Sequence, residues 1–157
     1  METHYYEVNI NWNQDRRGMM CAPEINSVLG ENGCLEVATP PQFDKGIPGK
    51  WSPEHLFTAA VSSCLMTTFL AIAENYKLDF TGFACASKGK LEKVEGKFLM
   101  TEVILEPTVT IVREEDYDKA IKVLHKSEAA CLISNSIKSK VTMVPFIKVQ
   151  DNIMDVA

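Results

Sequence analysis

The chain has 157 residues, of which 46% are hydrophobic and 24% charged, with a formal net charge of −5 and a pI near 5.2. This length is typical of one globular domain and can enclose a core without disulfide staples. The acidic balance argues against nucleic acid and anionic membranes as partners, because both are bound through basic patches. The opening segment METHYYEVNINWNQ lacks the basic and apolar regions of a signal peptide, which predicts a cytoplasmic protein.

The first 50 residues predict strands, turns and a loop. Alternation along residues 6–12 favours a strand, and after a turn at residues 13–18 a second strand is expected at 19–22. A further turn near residues 30–33 precedes a short strand at 34–38. Residues 39–50, with three prolines and two glycines, predict a loop.

A long helix is predicted from Ser52 to about Tyr76. Ser52 can cap the helix, Pro53 suits its first position, and the charge of Glu54 complements the helix dipole. The segment is apolar over most of its circumference, which predicts burial on nearly all sides. Because residues 56–73 are interrupted by Thr and Ser, they are interpreted as a core helix too polar to span a bilayer.

The second half predicts a hairpin, a helix and a closing strand. Two long strands are expected at residues 80–92 and 97–112, and Pro107 indicates a bulge or an edge position in the second strand. A second helix should begin at the acidic residues 114–116, and the closing strand should cover residues 140–150.

This order of elements predicts an α+β fold rather than a doubly wound parallel sheet. A single domain is expected over residues 1–157. It comprises N-terminal strands and a loop (1–50), a central helix (51–77), and a hairpin, second helix and final strand (78–157).

The five cysteines are an odd number for a chain expected in a reducing compartment, where cysteines are more often inert or catalytic than bridged. No Cys-x-x-Cys motif occurs and the three histidines lack finger-like spacing, so no metal site is expected. Cys21 and Cys34 lie near turns and Cys85 lies within a strand, and none of these three is expected to be catalytic.

The residues alone leave the roles of Cys64 and Cys131 open. Taken alone, Cys64 is better explained as a small buried hydrophobic residue, whereas for Cys131 the structural and catalytic interpretations are even. For Cys64, the neighbouring Ser62 and Ser63 indicate a polar pocket on an apolar helix. For Cys131, a short helical turn that follows would offer N–H groups that favour a thiolate.

Two motifs bear on this choice. Residues 51–64, Trp-Ser-Pro-Glu-His-Leu-Phe-Thr-Ala-Ala-Val-Ser-Ser-Cys, resemble a Pro-Glu-x-Leu…Ala…(Ser/Ala)-Cys signature. Residues 131–135, Cys-Leu-Ile-Ser-Asn, resemble a Cys-Pro-x-Ser-Asn signature, with Leu132 in place of the proline. Both signatures are those of the OsmC-like family, which includes the organic hydroperoxide resistance proteins.

The resemblance implies antiparallel sheets wrapped around a long central helix, in an intertwined homodimer with active sites at the subunit interface. It implies that the Cys64 thiolate attacks an organic hydroperoxide, or hydrogen peroxide, and becomes a sulfenic acid. Cys131 would then form a disulfide with Cys64, which a small dithiol or a dithiol protein would reduce. No cofactor is implied, because sulfur itself carries both electrons.

The same resemblance implies an arginine, held by Glu54, that lowers the pKa of Cys64. Glu54 and Cys64 are ~15 Å apart along one helix, so another residue has to connect them. Arg17, followed by Gly18, resembles the Arg-Gly element of some relatives and is the predicted activator, with Arg16 as a competitor. The alternative is an OsmC-like binding or stress-related protein with little peroxidase activity, in which that arginine is displaced or absent. A dithiol oxidoreductase acting on protein thiols is disfavoured, because the Cys-x-x-Cys motif is missing.

Overall fold

A computed structural model describes residues 2–150, and the chain divides into two compact units, Met1–Leu56 and Phe57–Ala157. The boundary falls inside a long helix, and each unit is described by itself. The single domain over residues 1–157 therefore stays a prediction.

The first unit contains a three-stranded antiparallel sheet in the order β1 (Asn9–Gln14), β2 (Arg17–Cys21) and β3 (Leu35–Ala38). A short helix, α1 (Pro23–Leu29), and a 3-10 turn (Gly30–Gly33) connect β2 to β3. The sequence predicts the turn but not the helix α1. Pro23 starts α1 at a position where its missing N–H has no cost, and no residue of α1 is buried.

A disulfide joins Cys21 to Cys34, whose Cα atoms are 4.4 Å apart. The ladder between β2 and β3 is antiparallel and pairs Met20 with Leu35. Cys21, which follows Met20, therefore lies opposite Cys34, which precedes Leu35. The expectation that the cysteines of this chain are unbridged is wrong for this pair. Sequence spacing does not reveal the register that brings the two residues together across a connection containing a helix.

The long helix α2 (Pro53–Asn75) begins as the sequence predicts. Ser52 is fully buried, and its hydroxyl accepts a hydrogen bond from the backbone N–H of His55 at 3.4 Å. The same hydroxyl lies 2.8 Å from Nδ1 of the His55 ring. Ser52 therefore caps the first turn of α2, as expected of serine at this position.

Backbone contacts attach this first turn to the first sheet. Trp51 forms a parallel bridge with Val37 of β3, and its carbonyl accepts a hydrogen bond from the N–H of Ala38 at 2.8 Å. Glu54 follows directly in the first turn of α2. The Pro-Glu motif is thus held against β3.

The second unit contains a four-stranded sheet around a central strand, β5 (Lys97–Ile111). β4 (Phe80–Val94) pairs with β5 antiparallel, whereas β6 (Lys140–Met143) and β7 (Phe146–Val149) both pair with it parallel. The α+β fold class is confirmed. The expectation of antiparallel pairing fails for β6 and β7, and the predicted closing strand is in fact these two strands.

Pro107 lies in the middle of the central strand, neither at an edge nor in a bulge, so that prediction is wrong. On one side of β5, the last residue paired with β6 is Leu105, and the first residue paired with β7 is Thr108. The break between β6 and β7 therefore lies beside Pro107. A proline has no N–H to donate, so this is the point of β5 where an interrupted partner costs least.

One stripe of α2 forms the core of the second unit. The fully buried residues recur every four positions and are Val61, Leu65, Phe69 and Ala73. The Phe69 ring packs against Phe80 and Phe83 of β4, at centroid distances of 5.1 and 4.9 Å. Burying each large apolar side chain of this kind stabilises the fold by about 1.5–3 kcal/mol.

The opposite face of α2 is exposed, which corrects the expectation of burial on nearly all sides. Met66 is 39% exposed and Leu70 is 45% exposed. Among the described residues, α2 is the one helix long and apolar enough to cross a membrane by length and composition, with a mean hydropathy of 1.9. The expectation that this segment is too polar is therefore wrong, although the core helix of a soluble protein meets the same criterion.

Two further helices complete the second unit. A 3-10 turn (Glu114–Asp116) leads into α3 (Tyr117–Ala130), which buries Val123 and Leu124 in the core. A single-residue break separates α3 from the short helix α4 (Leu132–Ser136). The acidic start predicted for the second helix is thus a 3-10 turn that precedes the α-helix.

Candidate active site

Cys131 is the residue that breaks the chain between α3 and α4. Its backbone is extended, with φ −64° and ψ 111°, and its N–H still donates to the carbonyl of Glu128 at 3.2 Å. Its carbonyl accepts the N–H of Asn135 at 3.0 Å, the first hydrogen bond of α4. The side-chain amide of Asn135 also donates to the carbonyl of Ala129 at 3.0 Å. Asn135 therefore fixes α4 to the end of α3.

Cys64, near the middle of α2, meets this junction. The thiol of Cys131 and the backbone N–H groups of Ile133 and Leu132 lie near enough to the sulfur of Cys64 to lower its pKa. The hydroxyl of Thr68, one helical turn further on, lies 4.0 Å from the same sulfur. Cys64 is half-buried, whereas Cys131 is fully buried. The structure thus brings together the two cysteines of the two sequence motifs.

These contacts favour the ionised form of Cys64. Partial burial is the largest single contribution and raises the pKa of Cys64, whereas the thiol of Cys131 and the N–H of Ile133 lower it. Thr68 and the N–H of Leu132 add smaller contributions, so the pKa of Cys64 lies below its ordinary value. No arginine takes part in this set of contacts, which consists of thiol, hydroxyl and amide donors within the second unit.

Cys131 has the opposite tendency. Burial raises the pKa of the Cys131 thiol, and the hydrogen bond and charge of Cys64 raise it further. The hydroxyl and N–H of Ser134 lie beside Cys131 and offset only part of this effect. Of the two thiols, Cys64 is therefore the one that ionises more readily, and Cys131 the one that keeps its proton to higher pH.

Arg17 is placed in the first unit, where Glu36 is its main partner. Its guanidinium lies 3.7 Å from a carboxylate oxygen of Glu36 and 3.9 Å from Asp15. Lys50 binds the other oxygen of Glu36 at 2.6 Å. The hydrogen bond from Lys50, followed by the charges of Lys50 and Arg17, holds the pKa of Glu36 below its usual range despite some burial. Sequence reasoning missed Glu36, because register rather than sequence proximity places β3 beside Arg17.

A cavity of about 750 Å³ in the first unit is lined by both Arg17 and Glu54. Its walls also include Trp12, Phe43 and Arg16. The Nε–H of Arg17 is buried and has no hydrogen-bond partner among residues 2–150. The cavity therefore combines aromatic walls with a cationic guanidinium. The joint action of Arg17 and Glu54 on Cys64 stays a prediction.

Within the described part of the chain, no three side chains of His, Cys, Asp or Glu cluster as metal ligands would. The two neighbouring thiols are chemically able to form a disulfide by two-electron oxidation.

A known protein family matches the part of the chain that contains both cysteines. Residues 45–145, more than half of the chain and including both cysteines, match the family described as OsmC-like protein. The chain belongs to the OsmC-like family. The family assignment made from the two sequence motifs is thereby confirmed.

The chain is also similar to individual proteins and solved structures. The chain is 23% identical over 147 residues to the uncharacterized protein YmaD of Bacillus subtilis, covering 91% of this chain and 93% of YmaD. An OsmC-like protein of unknown function from Vibrio cholerae has a structure that matches with a TM-score of 0.78 at 21% identity, covering 92% of this chain and 100% of that one. An organic hydroperoxide resistance protein OsmC from Legionella pneumophila matches with a TM-score of 0.70 at 19% identity, covering 95% and 100%. At these identities the structural matches show the shared fold.

Leu132 gives this OsmC-like chain an N–H donor that a proline at this position would lack. We expect Leu132→Pro to raise the pKa of Cys64 and to slow its alkylation about three- to tenfold at pH values below that pKa, because one donor to the thiolate is lost. The difference should vanish at high pH, where both proteins are fully ionised. The measurement is the rate of iodoacetamide alkylation of Cys64 between pH 5 and 10, roughly the span over which a perturbed thiol titrates.

This substitution is structurally mild, which makes the result interpretable. The side chain of Leu132 is 68% exposed, proline is favoured at the first position of a helix, and the extended backbone of Cys131 tolerates a following proline. Leu132→Ala is the matched control, since it shortens the side chain and keeps the N–H. Superimposable pH profiles for the proline and alanine variants would show that this N–H does not act on Cys64.

Two features of the site were within reach of sequence reasoning. The N–H groups of the turn after Cys131 were expected to act on Cys131, and the N–H of Ser134 does lower its pKa. The N–H groups of Leu132 and Ile133 act instead on Cys64, which was not expected. Thr68 follows Cys64 by four residues, the spacing that places two side chains side by side on a helix, and it could have been proposed on that ground.

Proposed function

We propose that this OsmC-like protein is a thiol-dependent peroxidase that reduces organic hydroperoxides, and also hydrogen peroxide. The observation that carries the proposal is the contact between Cys64 and Cys131, with the pKa of one thiol lowered and that of the other raised. A peroxidase of this type needs one thiolate nucleophile and one protonated thiol in reserve.

In the first step, the Cys64 thiolate attacks the distal oxygen of the hydroperoxide. The O–O bond breaks, the alcohol leaves after taking up a proton, and Cys64 becomes a sulfenic acid. Loss of the negative charge on Cys64 removes one of the causes that raise the pKa of Cys131. Cys131 then attacks the Cys64 sulfur, water leaves, and a disulfide forms. A small dithiol or a dithiol protein reduces this disulfide by two thiol–disulfide exchanges.

Two observations support an organic substrate. Solved structures with the same fold include proteins named organic hydroperoxide resistance protein, from Legionella pneumophila and from Elizabethkingia anophelis. The cavity lined by Arg17 also has aromatic walls, from Trp12 and Phe43, which suit an apolar organic group. In this proposal Arg17, held by Glu54, supplies the positive charge that further favours the Cys64 thiolate.

We also place the protein in the cytoplasm as a homodimer. The exposed side chains Met66 and Leu70 form an apolar face of α2 that a second copy would cover. Sedimentation equilibrium tests the dimer, which requires about twice the monomer mass of 17.5 kDa; a monomer at all concentrations would remove this part of the proposal.

The central experiment adds cumene hydroperoxide to the reduced protein and follows the free thiols by peptide mass spectrometry. We expect rapid loss of two hydrogens, mapped to a Cys64–Cys131 disulfide, with cumyl alcohol as the product. Hydrogen peroxide in a parallel reaction should give the same disulfide more slowly. Thiols that stay reduced through minutes of exposure to both peroxides would contradict the proposal.

A second candidate is an OsmC-like binding or stress-related protein with little peroxidase activity. The observation that favours it is the pairing of Arg17 with Glu36 and Asp15, which occupies part of its guanidinium. Separate replacement of Arg17 and Arg16 by methionine distinguishes the candidates. If the oxidation of Cys64 is slower in R17M and unchanged in R16M, Arg17 is supported as the activator. Full activity in both variants would show that neither arginine activates Cys64.

A further inference from the structure

A second redox-capable pair lies outside the site of Cys64 and Cys131. The disulfide between Cys21 and Cys34 closes a connection that contains α1 and the 3-10 turn. Neither α1 nor this turn has a buried residue, and both cysteines are half-buried. A disulfide in such surroundings is accessible to an external thiol, whereas a disulfide inside a core is not.

The two sulfurs of this disulfide are not equivalent. The side-chain NH2 of Asn26, on α1, donates a hydrogen bond to the sulfur of Cys34 at 3.2 Å. A disulfide sulfur carries no hydrogen, so only the NH2 end of the amide can make this contact. Gly33 leaves the room for it, because a Cβ at that position would lie 2.7 Å from Oδ1 of Asn26. No equivalent donor to the sulfur of Cys21 is found among the described residues.

We propose that Cys21–Cys34 is a thiol–disulfide exchange site for dithiols, in which Cys21 is the sulfur attacked, Cys34 is the leaving sulfur, and Asn26 is the residue that stabilises it. The proposal involves neither Cys64 nor Cys131. It gives the chain a second two-electron couple in its first unit.

The exchange has two steps. A thiolate of the dithiol attacks the sulfur of Cys21 and forms a mixed disulfide, while the Cys21–Cys34 bond breaks and its electron pair stays on Cys34. Asn26 donates its N–H to the thiolate so formed. The second sulfur of the dithiol, after losing its proton, then attacks the first, which releases Cys21 and leaves the dithiol as a cyclic disulfide. Cys21 and Cys34 take up the two protons.

The direction of attack is tested with a monothiol, glutathione, which stops at the mixed disulfide. The test uses the Cys64→Ser/Cys131→Ser protein, in which the other thiol pair is absent. After brief exposure and acid quenching, we expect glutathione on Cys21 and a free thiol on Cys34 in peptide mass spectra. Glutathione mainly on Cys34, or a Cys21–Cys34 bond that a large excess of dithiothreitol leaves intact in the folded protein, would overturn the proposal.

The role of Asn26 is tested by Asn26→Ala in the same background, with the exposed Asn32→Ala as the matched control. Reduction by dithiothreitol should be about threefold slower for N26A, because a leaving thiol whose pKa rises by about one unit departs more slowly. In reduced N26A, the alkylation profile of Cys34 should shift to higher pH, whereas the profile of Cys21 should stay unchanged. A merely structural role for Asn26 would not separate the two cysteines in this way. Equal reduction rates and equal profiles in both variants would exclude Asn26 from the exchange.

Discussion

Serine in place of Cys64 should abolish the consumption of organic hydroperoxide, lowering the rate constant for reaction with cumene hydroperoxide by about a thousandfold or more. The reason is that a hydroxyl stays protonated at neutral pH, even among the donors that favour a thiolate at this position. The measurement is the disappearance of cumene hydroperoxide under pseudo-first-order conditions, with dithiothreitol as the reductant.

Cys85→Ser is the matched control. Cys85 is also a half-buried free cysteine, but it lies on β4 and contacts the hydroxyl of Ser87 at 3.4 Å. We expect its replacement by serine to leave the rate unchanged. Loss of activity in C85S with full activity in C64S would move the reactive thiol from α2 to the sheet.

Serine in place of Cys131 should separate the first step of the reaction from the second. Cys64 should still be oxidised, within about tenfold of the normal rate, because a serine hydroxyl can replace the thiol as a hydrogen-bond donor. The sulfenic acid then has no partner thiol, so turnover should cease after one equivalent of peroxide, and excess peroxide should convert Cys64 to the sulfinic acid.

Dimedone labelling followed by peptide mass spectrometry measures both outcomes. The variant is expected to fold, because serine is a preferred residue at the N-cap, the place that Cys131 occupies before α4. Sustained turnover in C131S at the normal rate would show that an external thiol, rather than Cys131, resolves the sulfenic acid.

Interactions between residues close in the sequence were enough to predict the elements that carry the motifs. The Ser52-Pro53 start of α2 depends on capping within four residues, and the β4–β5 hairpin depends on a turn at Glu95-Gly96. Both signals are contained in short segments, so sequence reasoning located them well. The order of the two motifs likewise sufficed to assign the family.

What the sequence could not reveal depends on register and on neighbours distant in the chain. The bridge between Cys21 and Cys34 requires β2 and β3 to be aligned across an intervening helix. Pro107 was expected at an edge because a proline cannot donate to a ladder, yet the interruption of its neighbour at residues 144–145 allows it a central place. The uncovered face of α2 also carries large apolar residues, Met66 and Leu70, so their hydropathy alone could not show that they are exposed.

The backbone N–H groups at the start of α4 can report on the oxidation state of Cys64. The N–H groups of Leu132 and Ile133 lower the pKa of Cys64, whose negative charge is lost when it becomes a sulfenic acid or a disulfide. Amide proton and nitrogen chemical shifts respond strongly to the loss of a charged acceptor. The NMR resonances of these two residues are therefore built-in reporters of the oxidation state of Cys64, and they distinguish its forms without a dye, a label or a coupled enzyme.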